Sequence, residues 1–211
     1  MTPEEAAKEA APAVRDVASH FMLDPDTYRV GGELGFPGMS FYIAGRGGSL
    51  GDVDGSVVAA AMVFFSPALV ADGWAASEPV MGRQDAARRF MGCGHDWARD
   101  HVPADDELAL GRLAELAGRV IESASPAGAP LFAAWRTCEE PADAPALALH
   151  RMNVLRELRA ALHGWAVLAA GLSPREAVCL RTPHMAGLFG WDPPEEDLAP
   201  LQTSWDEAEA A

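Results

Sequence analysis

One stretch of the chain combines the side-chain types that acid–base catalysis requires. Residues 150–163 read HRMNVLRELRAALH, so His150 precedes Glu157 by seven residues. On an α-helix this spacing returns to nearly the same face, about 10 Å further along the axis. A histidine or a carboxylate in an apolar pocket can act as a general base. We therefore expect His150 and Glu157 to be the catalytic residues if the protein is an enzyme, which the sequence leaves open.

Other polar side chains are candidates for binding a ligand. Arg46 and Arg156 each carry a guanidinium group, which can hold a carboxylate through two parallel hydrogen bonds. The remaining members of this predicted ligand-binding group are His20, Tyr42 and His163. A structural alternative exists, in which Glu157 forms an ion pair with an arginine and the histidines are ordinary core or surface residues.

The spacing of the potential metal ligands does not predict a metal site. Two ligands on one helix normally lie three or four residues apart, whereas His150 and Glu157 lie seven apart. Cys93 and His95 are close in sequence, but no third ligand accompanies them, and we interpret their proximity as chance. The sequence does not identify a cofactor.

A glycine-rich segment at residues 45–51 invites comparison with phosphate-binding loops, which hold anions through backbone N–H groups. It reads GRGGSLG, so the third glycine of a dinucleotide-binding pattern is replaced by Leu50. We predict a tight turn between two helices here. The alternative is a backbone anion site assisted by Arg46.

The elements that must position these residues are predicted to be helices. Capping boxes with proline at the first helical position occur at residues 2–5 and 173–176. Asp54 can cap one long apolar helix, and residues 107–123 show the leucine spacing of an amphipathic helix. Only residues 40–43 have a β-like composition, and they are too few to require a sheet. We predict an all-α fold of about eight helices in a single compact bundle.

Composition excludes several classes of partner. The chain has 31 acidic and 16 basic residues, a net charge of −15, and such a surface repels phosphates. We expect a small-molecule ligand and no nucleic-acid partner, and self-association into a homodimer is left open. The longest apolar stretch, 57–71, is shorter than a membrane span, so no membrane partner is expected. Three cysteines without a disulfide pattern, and an N-terminus unlike a signal peptide, predict a cytoplasmic location.

The sharpest change in composition lies near the C-terminus. Residues 192–211 contain seven acidic residues and no Lys or Arg. We predict a helical domain over residues 1–190 and an acidic C-terminal appendage over residues 191–211. Trp191 and Trp205 are its candidate anchors.

Several stretches resemble a family of uncharacterised actinobacterial proteins described as helix-turn-helix-containing. Residues 42–51, YIAGRGGSLG, are similar to the family segment YFAGRAAPLG, and residues 130–134, PLFAA, also match a family segment. Residues 155–163, LRELRAALH, resemble the family's LREHRGDGH. The resemblance implies a helical protein whose C-terminal part contains a helix pair and a wing-like hairpin, with no assigned reaction.

The chain departs from the family pattern at two places. Leu158, Ala160 and Leu162 stand where the family has a histidine and two glycines. An acidic segment lies where the wing is expected, and residues 173–211 hold only Arg175 and Arg181 as strong cations. We therefore expect no specific binding to duplex DNA.

Two functions of different class follow. The first is a helical small-molecule-binding protein, which could be an enzyme of specialised metabolism using a buried His, Glu and Arg group. The alternative is a degenerate helix-turn-helix regulator-like protein that acts through protein contacts or dimerisation. The acidic charge favours the first.

Overall fold

Local capping signals set the first residue of many helices. In the computed structural model, which describes residues 2–103 and 106–210, the side chains of Thr2, Asp24, Asp54, Asp143 and Ser173 each accept a hydrogen bond from the first turn of a helix. Both predicted capping boxes are confirmed. The α-helices are α1 (Pro3–Ser19), α2 (Pro25–Leu34), α3 (Ser40–Gly47), α4 (Gly55–Ala61), α5 (Pro67–Ser77), α6 (Arg83–His101), α7 (Glu107–Ser123), α8 (Pro130–Trp135), α9 (Ala144–Ala169), α10 (Pro174–Arg181) and α11 (Gln202–Ala210).

The predicted all-α fold is confirmed, since the described residues form helices and contain no strand. The helices outnumber the predicted eight because apolar segments are interrupted. The long helix expected after Asp54 is two helices, because Met62 leaves helical backbone, with a ψ of 47°, and a turn separates it from Pro67, which begins α5. The β-like residues 40–43 lie inside α3. Among the described helices, none is both long and apolar enough to cross a membrane.

Helix α9 is the central element. It is 26 residues long and contacts α1, α6, α7, α8 and α11. Because neighbours surround it, α9 carries polar as well as apolar side chains into the interior. His150, Asn153 and Glu157 are all buried.

Helix α3 is buried along its whole length. Its glycines permit this, because a Cβ at Gly45 would overlap the ring of Phe90 on α6. A Cβ at Gly48, just after α3, would overlap the backbone carbonyl of Arg83. This close approach carries Arg46 into the core, where its charge needs a partner.

Helix α7 packs through three small residues and Ile121, and it leaves several other large apolar residues exposed. Ala114, Ala117 and Gly118 are buried, and the guanidinium of Arg151 on α9 lies over Gly118, donating from Nη1 to the carbonyl of Ala114 at 2.8 Å. A second face of α7, beside the buried one, is apolar and exposed. Its residues are Leu113, Leu116 and Val120, which we call the α7 stripe.

The C-terminal segment contacts the rest of the protein through both predicted anchors. Trp205 of α11 is buried in a cluster with Val167 of α9. The indole Nε1 of Trp191 donates to the carbonyl of Phe64 at 2.8 Å. The domain boundary at residue 190 stays a prediction.

Candidate functional site

A buried ion pair joins α3 to α9. Nε and Nη2 of Arg46 donate to the two carboxylate oxygens of Glu157 at 3.1 and 2.8 Å, and Nη1 donates to the hydroxyl of Tyr42 at 2.9 Å. Arg156 adds a further hydrogen bond to Glu157 at 3.1 Å. The indole of Trp135 donates to the backbone carbonyl of Arg46 at 3.1 Å. Four of the predicted site residues therefore form one hydrogen-bonded network.

Arg46 lies inside α3, which corrects the prediction of a tight turn over residues 45–51. Residues 45–47 belong to this helix, and a short 3₁₀ helix follows at Gly48–Leu50. The guanidinium therefore projects from a buried helix. Since its donors are directed to Glu157 and Tyr42, the geometry gives no support to the alternative of an anion site at this segment.

Electrostatics keep both members of the pair charged. Burial acts to raise the pKa of Glu157, but the charges and hydrogen bonds of Arg46 and Arg156 lower it below its ordinary value. Burial acts to lower the pKa of Arg46, and the opposing effects of Glu157 and Tyr42 raise it. The paired carboxylate is a poor general base, because its proton affinity is reduced and its oxygens are already hydrogen-bonded.

His150 meets a residue that the sequence did not single out for this site. Its Nδ1 lies 3.1 Å from Nε2 of His95 on α6. Burial, followed by the nearby His95, lowers the pKa of His150 to about 4. Burial also lowers the pKa of His95. Both rings are neutral near pH 7, and one donates a hydrogen bond to the other.

Asn153 adds an unpartnered acceptor beside the histidine pair. Its Nδ2 donates to the carbonyl of Leu149 at 3.0 Å, but its buried Oδ1 has no partner among the described residues. A cavity of about 10 Å³ lies between Asn153, the two histidines, Phe21 and Trp135. This volume holds about one water molecule.

His20 and His163 lie away from both clusters. His20 packs edge-on against Trp97, with ring centroids 5.7 Å apart. His163 lies between Phe64 and Trp205, and its Nδ1 is 3.6 Å from a carboxylate oxygen of Glu209. The seven predicted residues therefore do not converge on one cavity, and the catalytic and binding roles assigned to them stay predictions.

Little in the sequence marks His95 and Asn153 as residues of this cluster. The potential ligand nearest to His95 in sequence is Cys93, two residues away, whereas its partner His150 is 55 residues distant in the chain. Asn153 is one of several polar residues in residues 150–163, and its type does not set it apart from them. Periodicity indicates which residues share a face of one helix but not which faces of two helices meet.

Helices α9 and α10 are joined by a short turn. Gly171, in the left-handed region with φ of 83°, follows the end of α9, and Ser173 caps α10. A turn of this length, containing a glycine, is typical of a helix-turn-helix. A family model described as a helix-turn-helix family matches residues 7–211. The chain belongs to this helix-turn-helix family. No curated protein and no solved structure matches it.

In this member of the helix-turn-helix family, α10 has little free surface. Ala177, Val178 and Cys179 are buried, in clusters that include Leu198 and Trp205 of the C-terminal segment. A DNA-reading helix must instead expose side chains that reach base edges in the major groove. In this chain the acidic C-terminal segment covers α10, the helix that would have to enter the major groove.

One of the two arginines of α10 is engaged within the protein. Nη1 of Arg175 donates to a carboxylate oxygen of Glu196 at 2.9 Å, which leaves Arg181 as the exposed cation of α10.

In the described part of the chain, no three His, Cys, Asp or Glu side chains are arranged to hold a metal ion.

Proposed function

We propose that this helix-turn-helix family protein acts through protein contacts, with a second copy of itself as the partner, and does not act by reading duplex DNA. The observation that carries the exclusion of DNA is the burial of α10 under the acidic C-terminal segment. The observation that carries the self-association is the exposed α7 stripe. A helix in that position cannot enter a major groove without first losing its cover.

Charge supports the exclusion of DNA. Residues 173–211 contain Arg175 and Arg181 against eight acidic residues. Affinity for duplex DNA depends on cations that replace condensed counterions at the phosphates. We expect no sequence-dependent mobility shift with genomic fragments at low salt. Nanomolar, sequence-dependent binding would overturn this part of the proposal.

The α7 stripe supports self-association. Leu113, Leu116 and Val120 are 41%, 43% and 49% exposed and lie along one face of the helix. Side chains of this size gain free energy when another surface covers them. The partner that we favour is a second copy of the chain, contacting the stripe with its own.

Charges of both signs on α7 are compatible with a second copy at this surface. Helix α7 carries two arginines and three glutamates, which are Arg112, Arg119, Glu107, Glu115 and Glu122. Two copies that meet through α7 can place arginines of one copy near glutamates of the other, which offsets part of the repulsion between two chains of net charge −15.

Light scattering coupled to size-exclusion chromatography tests the proposal. We expect the parent protein to have about twice the 22.3 kDa mass of one chain. Leu116→Glu should give the monomer mass, whereas Leu23→Glu, at a similarly exposed apolar residue outside the stripe, should stay dimeric. A parent protein that is monomeric at high micromolar concentration, or a control that dissociates equally, would refute it.

A second candidate function is binding of a small molecule in the interior. The unpartnered Oδ1 of Asn153 beside the histidine pair favours it, since a ligand with a donor group would satisfy this oxygen. The cavity admits a group about the size of one water molecule, so the probe is methanol, the smallest alcohol that can donate to this oxygen. Saturation-transfer NMR should detect methanol binding that Asn153→Leu removes. A signal that persists in the variant would contradict this site.

We also propose a cytoplasmic location. Cys93, Cys138 and Cys179 are all free thiols, which a reducing compartment maintains. Labelling of all three with a thiol reagent, after denaturation of protein isolated without reductant, is the expected result.

A further inference from the structure

An open groove of about 950 Å³ lies between α4, α5 and the C-terminal part of the chain, and we call it the α4–α5 groove. None of the residues predicted as site residues lines it. Apolar side chains form most of its walls, and the volume is at the upper end of the range for small-molecule sites. The wall residues that matter here are Val63, Phe65, Trp74, Leu168, Pro174 and Trp191.

The two tryptophans of the groove are held in fixed positions. Nε1 of Trp74 donates to the carbonyl of Val53 at 3.0 Å, and the guanidinium of Arg83 lies 3.9 Å from the centre of one of its rings. Nε1 of Trp191 donates to the carbonyl of Phe64. Walls that are already fixed lose little conformational entropy when a ligand binds.

The polar part of the groove is negative. Asp52, Asp54 and Glu78 contribute carboxylates, and Arg83 contributes the one guanidinium among its lining residues. That guanidinium is engaged within the protein, since Nη1 donates to the carbonyl of Trp74 at 2.8 Å. Its Nη2 also lies 3.9 Å from a carboxylate oxygen of Glu78. An incoming anion would therefore meet repulsion without gaining a free cation.

We propose that the α4–α5 groove binds an organic cation with an apolar body, of which an aromatic amine is the simplest example. The fixed aromatic and aliphatic walls cover the apolar body, and the carboxylates at the edge attract the ammonium group. A neutral ligand of the same shape gains only the apolar contacts, and an anion is repelled by the carboxylates. The proposal does not depend on the protein contacts proposed above, because the groove and the α7 stripe share no residue.

Three naphthalene probes of matched shape separate these contributions. Isothermal titration calorimetry at low salt would measure binding of 1-naphthylmethylamine, 1-naphthalenemethanol and 1-naphthoate to the parent protein. We expect the amine to bind about tenfold more tightly than the alcohol, the naphthoate to bind more weakly than either, and added salt to reduce the preference for the amine.

Variants locate the site. Asp52→Asn combined with Glu78→Gln should weaken amine binding about fivefold to tenfold and leave alcohol binding unchanged. Asp72→Asn is the matched control, because Asp72 is exposed on α5 but does not line the groove, and it should bind as the parent does. Asp54 is left intact because it caps α4. Ala75→Trp should fill the groove and abolish binding of all three probes.

Three outcomes would overturn the proposal. Naphthoate could bind as tightly as the amine, Asp72→Asn could lose as much affinity as the double variant, or none of the probes could bind to protein whose circular dichroism shows that it is folded. The Ala75→Trp variant also separates a specific site from general adhesion, because surface adhesion would survive the filled groove.

Discussion

Replacing Glu157 by glutamine should destabilise the protein strongly, because it leaves the charge of Arg46 in the core without its counter-charge. The pair is bidentate, and the side chains are 5% and 1% exposed for Arg46 and Glu157. Removing one partner of a buried ion pair typically costs about 3–5 kcal/mol in the free energy of unfolding. In a domain of this size, a loss of about 4 kcal/mol corresponds to a fall in Tm of roughly 8–16 °C.

Urea unfolding at pH 7, with calorimetry, would measure this loss against two controls. Glu115→Gln removes the partner of Arg112 in an exposed pair and should cost less than about 1 kcal/mol. The double variant Arg46→Met/Glu157→Leu removes both buried charges and should be more stable than Glu157→Gln alone. A loss below about 1 kcal/mol in Glu157→Gln, or a double variant less stable than the single one, would refute the reasoning.

The same pair predicts how stability depends on pH. The folded-state pKa of Glu157 lies below its ordinary value of about 4.5. The ion pair therefore contributes its full stabilisation above about pH 4.5, and this contribution is lost as the pH falls through the lower folded-state pKa. The difference in free energy of unfolding between the parent and Glu157→Gln should narrow in that acidic range. A constant difference down to acid unfolding would contradict the assignment.

Three further substitutions test other parts of the structure. Between pH 6.5 and 4 the unfolded chain binds the proton that folded His150 excludes. The free energy of unfolding of the parent should therefore fall as the pH falls over this range. Urea titrations at several pH values should show that it falls less steeply with pH in His150→Gln. Gly48→Ala should cost several kcal/mol by urea unfolding, because its Cβ overlaps the carbonyl of Arg83; an unchanged midpoint would contradict that packing. Trp205→Ala should cost about 3 kcal/mol and increase hydrogen exchange in α11, whereas unchanged exchange would show that α11 does not depend on this anchor.

Local sequence determined the class of fold and many of the helix starts. Thr2, Asp54 and Ser173 were recognisable as caps because a cap needs only a side-chain acceptor and the backbone N–H groups of the next turn. The family assignment rests on the sequence as well. The structural alternative for Glu157, an ion pair with an arginine as its partner, is also confirmed.

The identity of that partner required the tertiary structure. Arg46 precedes Glu157 by 111 residues, and several other arginines were equally available to it by sequence. Gly45 and Gly48 let α3 approach α6 closely, and this approach carries Arg46 into the core beside Glu157. In the sequence, the same glycines suggest a turn between helices. A glycine permits both a turn and a close helix contact, so its meaning depends on what lies opposite.

Helix α7 shows that the sequence of an amphipathic helix also does not determine which of its faces is buried. Its sequence predicts an amphipathic helix, and α7 is one, but the leucines at helical spacing form the exposed α7 stripe while Ala114, Ala117 and Gly118 face α9. Periodicity identifies which residues share a face because it depends on the geometry of one helix. Which face is buried depends on the helices that pack against it, and in α7 the small residues allow the closer approach to α9. The buried face of α7 and the pairing of His95 with His150 both depend on contacts between segments that are distant in the chain.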